Sequence, residues 1–286
     1  MFELNQEKGY SVKKLCDLAN VSRQGYYKWL ENQPSLKELE DILLGDEIKR
    51  IYKNSNQTFG VERIQLALKV ENELTINIKR VRRIMRILGI SSVIRRKGQN
   101  YVKSTAEHTA KNALNRNFEA DKPNQKWFTD VTYLKYGNGT RAYLSAIIDR
   151  YDMSIVAWKI STKNDNQLVE DTIRLAFEAN PGAKPWIQTD RGSQYTSHMF
   201  WNLKKEFKFK ISMSRVSKCL DNQPIESFWG TYKSEFYYRY KFLTLESLIS
   251  NTEQYMNFYM NKRYVKKFDG LTPSKIRCLA FESLTA

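Results

Sequence analysis

The 286-residue chain has only two histidines, His108 and His198, and three cysteines, Cys16, Cys219 and Cys278, spread far apart. With so few, a Cys/His zinc site is excluded, and the lack of any CxxC pair fits a reducing compartment without a disulfide framework. No run of about 18 apolar residues is present to span a bilayer. The opening MFELNQEKGY lacks the apolar core of a signal peptide. No internal repeat or low-complexity tract stands out. Metal chemistry is therefore left to oxygen ligands, which favour Mg²⁺ or Mn²⁺. Acids are nevertheless in the minority: 47 Lys and Arg stand against 31 Asp and Glu, giving +16 and a pI near 9.6. That imbalance is the footprint of a protein that binds nucleic acid or another anionic surface. A cytoplasmic, DNA- or RNA-directed protein with room for two or three domains is the expectation.

The first 90 residues read as helices. SVKKLCDLANVSRQGYYKWLE (11–31) has the length and pattern of a helix-turn-helix, with Ser22 capping the second helix and Arg23 and Lys28 exposed on it. A long helix follows over 36–54, with Leu39, Ile42, Leu43, Ile48 and Ile51 expected inward. Further helices are expected over 61–70 and 75–89. The last of these sets an apolar stripe against Lys79, Arg80, Arg82, Arg83 and Arg86, and no acid lies among those basic residues. An unpaired basic face predicts phosphate contact. Residues 91–122 are basic and weak in apolar periodicity, which predicts an extended linker.

The composition changes at Pro123. KWFTDVTYLKY (126–136) alternates and is rich in aromatic and β-branched residues, so it predicts a strand, and Gly137-Asn138-Gly139 a hairpin turn. Strands are expected over 141–149, 154–160, 186–190 and 208–213. Helices are expected over 166–179, 197–207, from Pro224 and over 245–259, with a short one from Ser274. Three hairpin-linked strands followed by crossover units predict a mixed five-stranded sheet covered by helices. The chain divides on this reading into a helical DNA-binding region (1–90), a basic linker (91–122), an α/β core (123–240) and a helical extension (241–286).

Three acids stand out. Asp130 lies in the first strand, Asp190 closes the fourth, and Glu226 starts a helix, with 35 residues between it and Asp190. Helical spacing puts Gly230 and Lys233 on the Glu226 face. Three carboxylates without histidine or cysteine suit two divalent ions at a phosphodiester. Other acids read more simply. Asp149, Asp152 and Asp221 suit turns and caps, Asp165 a helix start and Asp171 an exposed helix face. Trp127 and Trp229 read as core walls.

Together, WFTDVTYL, QTDRGSQYTS and DNQPIESFWGTYKSE resemble the DDE transposase and retroviral-integrase superfamily. Within it the likeness is to OrfB, the downstream product of bacterial insertion sequences made as two overlapping frames. FGVERI, KRVRRIMRILGI, YMNFYMNKRY and GLTPSKIR extend the resemblance over essentially the whole chain. It implies an RNase H-like core behind a helix-turn-helix region, and metal-dependent 3′-end cleavage and strand transfer of DNA. It further implies that Asp130, Asp190 and Glu226 bind the metal and that Lys233 touches DNA. Gly192, Gln194, Tyr195, Asn222 and Ser227 match flanking positions. Gln188 departs from the histidine common two residues before the second acid. The implied partners are the element's terminal inverted repeats, target DNA, the upstream OrfA product or a frameshift fusion with it, and further copies of the chain on DNA. Two rival readings remain: an RNase H-fold nuclease, which the basic helical half argues against, and a non-catalytic DNA-binding regulator of transposition.

Overall fold

The computed structural model describes residues 6–31, 35–94, 110–115, 117–215 and 219–285. Half of the predicted linker, 95–109 and 116, lies outside the described residues.

The β-rich stretch after Pro123 forms the sheet. Its strands are β1 (Lys126–Tyr136), β2 (Thr140–Asp149), β3 (Ile155–Ser161), β4 (Trp186–Thr189) and β5 (Lys210–Met213), in spatial order β3-β2-β1-β4-β5. The hairpin-linked pairs β1–β2 and β2–β3 are antiparallel, while β1–β4 and β4–β5 are parallel. That is the mixed five-stranded sheet the sequence predicts. β4 is short and meets β1 only at Lys126, Trp127 and Phe128, so β1 continues beyond it without a strand on that side.

Alternation along β1 feeds two cores. Phe128 and Leu134 face one, which also holds Ala142, Leu144, Ala146 and Ile148 of β2. Trp127 and Ile147 face the other, against α6 (Asn166–Ala179) and α8 (His198–Phe207), which follows the short α7 (Ser193–Thr196). Asp165 caps α6 as expected, accepting from the Leu168 N–H. The first face is covered by α9 (Gln223–Glu235) and α10 (Leu245–Asn261) through Phe228, Trp229, Tyr232, Tyr255 and Tyr259.

Preceding the sheet in sequence are α1 (Val12–Leu18), α2 (Arg23–Glu31), α3 (Leu36–Asn54), α4 (Val61–Asn72) and α5 (Ile78–Ile87). Ser35 and Glu38 make a reciprocal capping box at the start of α3. Ile48, Ile51, Ile64, Leu68, Val81 and Ile84 join the same core as α9 and α10, so the helical unit and the sheet share one interior.

Two expectations about helix faces are corrected. Leu39, Ile42 and Leu43 are 44%, 56% and 70% exposed rather than inward. α3 instead turns Asp41, Leu44, Gly45 and Ile48 toward α5 and the Leu88 that follows it. Asp221 is not a cap either. α9 begins with Asn222 at its N-cap and no side-chain cap bond. Asp221 is fully buried and binds Arg215 through both of its oxygens, and Asn112 donates to it as well.

The last helix, α11 (Pro273–Thr285), docks through Arg277. Its guanidinium donates to Asp149, Asp152, Ser154, Asn124 and Asn180. Asp149 and Asp152 are wholly buried and owe their place to this arginine rather than to local turns alone. Gly270, just before α11, has φ +96°, and a Cβ there would lie 2.8 Å from Val70 and 3.0 Å from Leu66 of α4. This glycine thus lets the C-terminal segment press against the N-terminal helices.

Candidate active site

Asp130 lies on β1 two residues past Phe128, where pairing with β4 has ended, and Asp190 immediately follows β4. β1 and β4 are parallel neighbours, so both carboxylates emerge at the same end of the sheet. Trp229 of α9 donates its indole N–H to Asp130 at 3.0 Å. The Gly192 N–H donates to Asp190 at 2.8 Å. A Cβ at Gly192 would crowd that same carboxylate at 3.0 Å, which is why the turn takes glycine. Beneath the pair, Tyr195 is fully buried with its hydroxyl 3.2 Å from that of Thr129.

Both carboxyls are harder to ionise than usual. Burial, then the neighbouring charge of Asp190, raises Asp130 to about 7. Burial raises Asp190 as well, opposed by the Gly192 N–H. Glu226, in the first turn of α9, is half-buried and raised by burial and by the charge of Asp190. The three acids therefore feel one another's charge. They do not converge fully: no group of three His, Cys, Asp or Glu among the described residues is close enough to hold a metal ion together.

Lys233, one turn and three residues beyond Glu226, donates to the Thr132 hydroxyl at 2.6 Å and lies over the Tyr133 ring at 5.4 Å. Burial lowers its pKa, against the pull of Asp130. Its ammonium is thus held near Asp130 but is spent on a hydroxyl. The donor set suits a hard divalent cation: neighbouring carboxylates partly withdrawn from water, with Asp130 and Glu226 both raised by the charge of Asp190. Asn222 adds a clamp, donating to the Thr129 carbonyl at 3.2 Å and so tying the start of α9 to the strand residue before Asp130.

The predicted DNA contacts are scattered. Arg23 and Lys28 are exposed on α2. On α5, Lys79, Arg82 and Arg86 face solvent, but Arg80 and Arg83 both bind Asp41 of α3, and Arg80 also binds Glu40. The basic face is therefore not free of acids as its own sequence suggests, because the partners come from another helix. A buried ionic junction also escaped the sequence reading. Glu235, at the end of α9, accepts from Arg63 of α4, from Arg263 and from Tyr255.

Residues 120–219 and 226–278 match the integrase core domain, and residues 38–98 match an HTH-like domain. The putative transposase InsK of insertion element IS150 from Escherichia coli K12 is 33% identical over 269 residues, covering 94% of each chain. The chain belongs to the DDE transposases of the IS3 family. An IS600 31 kDa protein from Shigella sonnei is 32% identical over 92% of this transposase and 97% of its own length. An uncharacterised transposase-like protein from Haemophilus influenzae is 34% identical over 74% and 98%. Among solved structures, the HTLV-2 integrase catalytic core domain matches 56% of this transposase and 99% of its own chain, at 18% identity and a TM-score of 0.44. The transposase is a DNA-binding polynucleotidyl transferase that depends on divalent metal, with the mixed-sheet RNase H-like fold of integrases. Its first integrase match contains Asp130 and Asp190, and its second begins at Glu226. The HTH-like match lies on α3–α5 rather than on the α1–α2 pair. No helix among the described residues is long and apolar enough to cross a membrane.

Proposed function

We propose that Asp130, Asp190 and Glu226 form the metal-binding triad of this transposase, and that it cuts the 3′ ends of its element and joins them to target DNA. The observation that carries this is the pair of carboxylates at the ends of two neighbouring parallel strands, both raised by burial and Asp130 also by the charge of Asp190, with Glu226 on the helix alongside. Bound among them, two Mg²⁺ or Mn²⁺ ions supply Lewis-acid activation of the phosphodiester and of the attacking oxygen.

The chain's own residues do the rest. Trp229 and the Gly192 N–H each fix one carboxylate. Asp130 releases its proton on loading. Glu226 must come closer than it stands, by a rotamer change or a small shift of α9 along its Asn222 clamp. Lys233 exchanges the Thr132 hydroxyl for a DNA phosphate, with which its ammonium forms a stronger, charge-assisted bond. The cut is hydrolytic and exposes a 3′-OH. That hydroxyl then attacks a second phosphodiester in line, which needs positioning and charge but no covalent protein intermediate.

The division into a helical DNA-binding region (1–90), a linker (91–122), the core (123–240) and a C-terminal extension (241–286) follows the same reading. Arg23, Lys28, Lys79, Arg82 and Arg86 contact element ends, and Arg80 and Arg83 join them only by leaving Asp41. Two ends must be held at once, so the working form is an oligomer on DNA, with the OrfA product or a frameshift fusion as its partner. It acts in the bacterial cytoplasm, at the nucleoid. Mn²⁺ titration by calorimetry tests the metal site directly. Wild type should bind with micromolar to millimolar affinity, and Asp130→Asn and Asp190→Asn should lose that binding without melting below the ion-free wild type. Equal Mn²⁺ binding by wild type and both variants would refute it.

A further inference from the structure

The outer edge of β5 carries a basic track that neither the triad nor α5 uses. Lys204, Lys205 and Lys208 close α8, Lys210 opens β5, and Lys184 stands just before β4. Lys210 pairs in register with Trp186 and donates its backbone N–H to the Pro185 carbonyl, so the end of α8 and the starts of β4 and β5 lie side by side. Higher on the same edge, the Met213 N–H donates to the Lys111 carbonyl. The next residue, Ser214, donates to the Thr189 carbonyl, one residue before Asp190. The track thus follows β5 for about 13 Å, at about 3.3 Å per residue, toward the acidic end of the sheet.

Among the described residues none of these six lysines forms an ion pair. Glu206, the one acid within the α8 end, is taken by a bidentate bond from Arg174. Two of the ammonium groups rest on indoles, Lys204 over Trp201 at 4.8 Å and Lys210 over Trp186 at 5.3 Å. Such stacking holds a charge in place without neutralising it. Lysines at a helix C-terminus favour the helix dipole, and a lysine on an edge strand deters edge pairing. Those roles account for Lys204, Lys205 and Lys210, but not for Lys184, which the strand register sets level with Lys208, nor for Lys111, which carries the line on toward the acids. We propose that this track is a second DNA surface, binding the phosphate backbone of duplex irrespective of sequence as it leaves the catalytic end. Duplex DNA carries one charge per about 1.7 Å of axis, so a track of this length gives each lysine its own phosphate.

The test is fluorescence anisotropy of the full chain with a random-sequence duplex that lacks the element's ends, titrated across salt concentrations. The variant Lys184→Gln/Lys205→Gln/Lys208→Gln/Lys210→Gln is compared with wild type. A control, Lys163→Gln/Lys241→Gln/Lys267→Gln/Lys275→Gln, removes the same charge from exposed positions elsewhere. Each lost phosphate contact lowers the slope of log K against log salt by about 0.9. The track variant should lose about 2 to 4 from that slope, and the control less than one, with both melting like wild type. Equal losses in the two variants would reduce the effect to net charge and overturn the proposal, as would an unchanged slope in the track variant. Retained duplex binding alongside lost binding to polyglutamate would assign the surface to an acidic protein and overturn it too.

Discussion

Replacing Glu235 by alanine should unsettle the joint between the DNA-binding helices and the catalytic helix. Glu235 closes α9, nine residues after Glu226, and its side chain is 3% exposed. It accepts two bonds from Arg263, each at 2.9 Å, one from Arg63 at 2.9 Å and one from Tyr255 at 3.2 Å. Burial alone would raise its pKa, but the charges and hydrogen bonds of Arg263 and Arg63 outweigh burial and hold it below the ordinary value. Alanine leaves Arg263, only 11% exposed, without its counter-charge. Breaking a buried pair from one side costs about 3–5 kcal/mol. With an unfolding entropy of about 2.1 cal/mol/K per residue, this chain's melting point should fall by about 5–8 °C. Circular dichroism or differential scanning fluorimetry reads this directly. Because the folded pKa is depressed, the contribution is present above the unfolded value of about 4.3 and is lost as pH falls through the folded one. The melting difference between wild type and Glu235→Ala should therefore shrink in acid. A variant that melts within 1 °C of wild type at pH 7 would show instead that the arginines are satisfied without the carboxylate.

Three further perturbations follow from the same geometry. Arg277→Ala removes the shared partner of two fully buried carboxylates, Asp149 and Asp152, and should also cost about 3–5 kcal/mol, seen as a fall in urea midpoint with an unchanged slope. Gly270→Ala puts a Cβ into Val70 and Leu66 at a left-handed φ and should cost about 1–3 kcal/mol by the same measurement, while Gly230→Ala, with open space around it, should cost almost nothing. The ion-free protein should lose stability as pH rises from about 4 to 7, because folded Asp130 keeps its proton to about 7 and the unfolded chain gives it up near 3.9. Mg²⁺ should accordingly raise the melting point more at pH 7.5 than at pH 5.5, and an equal rise at both would contradict the shift.

The sheet was legible because its strands are rich in aromatic and β-branched or apolar residues and are punctuated by turn chemistry. KWFTDVTYLKY forms β1 with the predicted limits, and Asn166–Ala179 forms α6 with its predicted Asp165 cap. Helix faces were less legible. Leu39, Ile42 and Leu43 obey helical spacing as well as Ile48 does, and only the crossing of α3 by α5 decides which side is inside. Arginine pairing was similarly hidden, since Asp41 lies 39 residues before Arg80 in the chain. The acids of the site could be read from their positions on strand and helix and from their flanking motifs. Their incomplete convergence could not, because it depends on how α9 docks over β1 through Asn222, Trp229 and Lys233. Arg277 and Glu235 gave no local signal: each is one charged residue among many until its buried partners are seen.

Whether the three carboxylates act as one site is measured most directly by cleavage and joining of a labelled element end into plasmid DNA with Mg²⁺ or Mn²⁺. Wild type, with its upstream partner product if one is needed, should release the 3′ end and join it. Asp130→Asn, Asp190→Asn and Glu226→Gln should each bind the end with wild-type affinity and salt dependence, yet lose both steps by a factor of at least about 10³, the scale on which electrostatic stabilisation acts. Full activity in Glu226→Gln would contradict the account, since the helix acid would then be a bystander to a two-carboxylate centre.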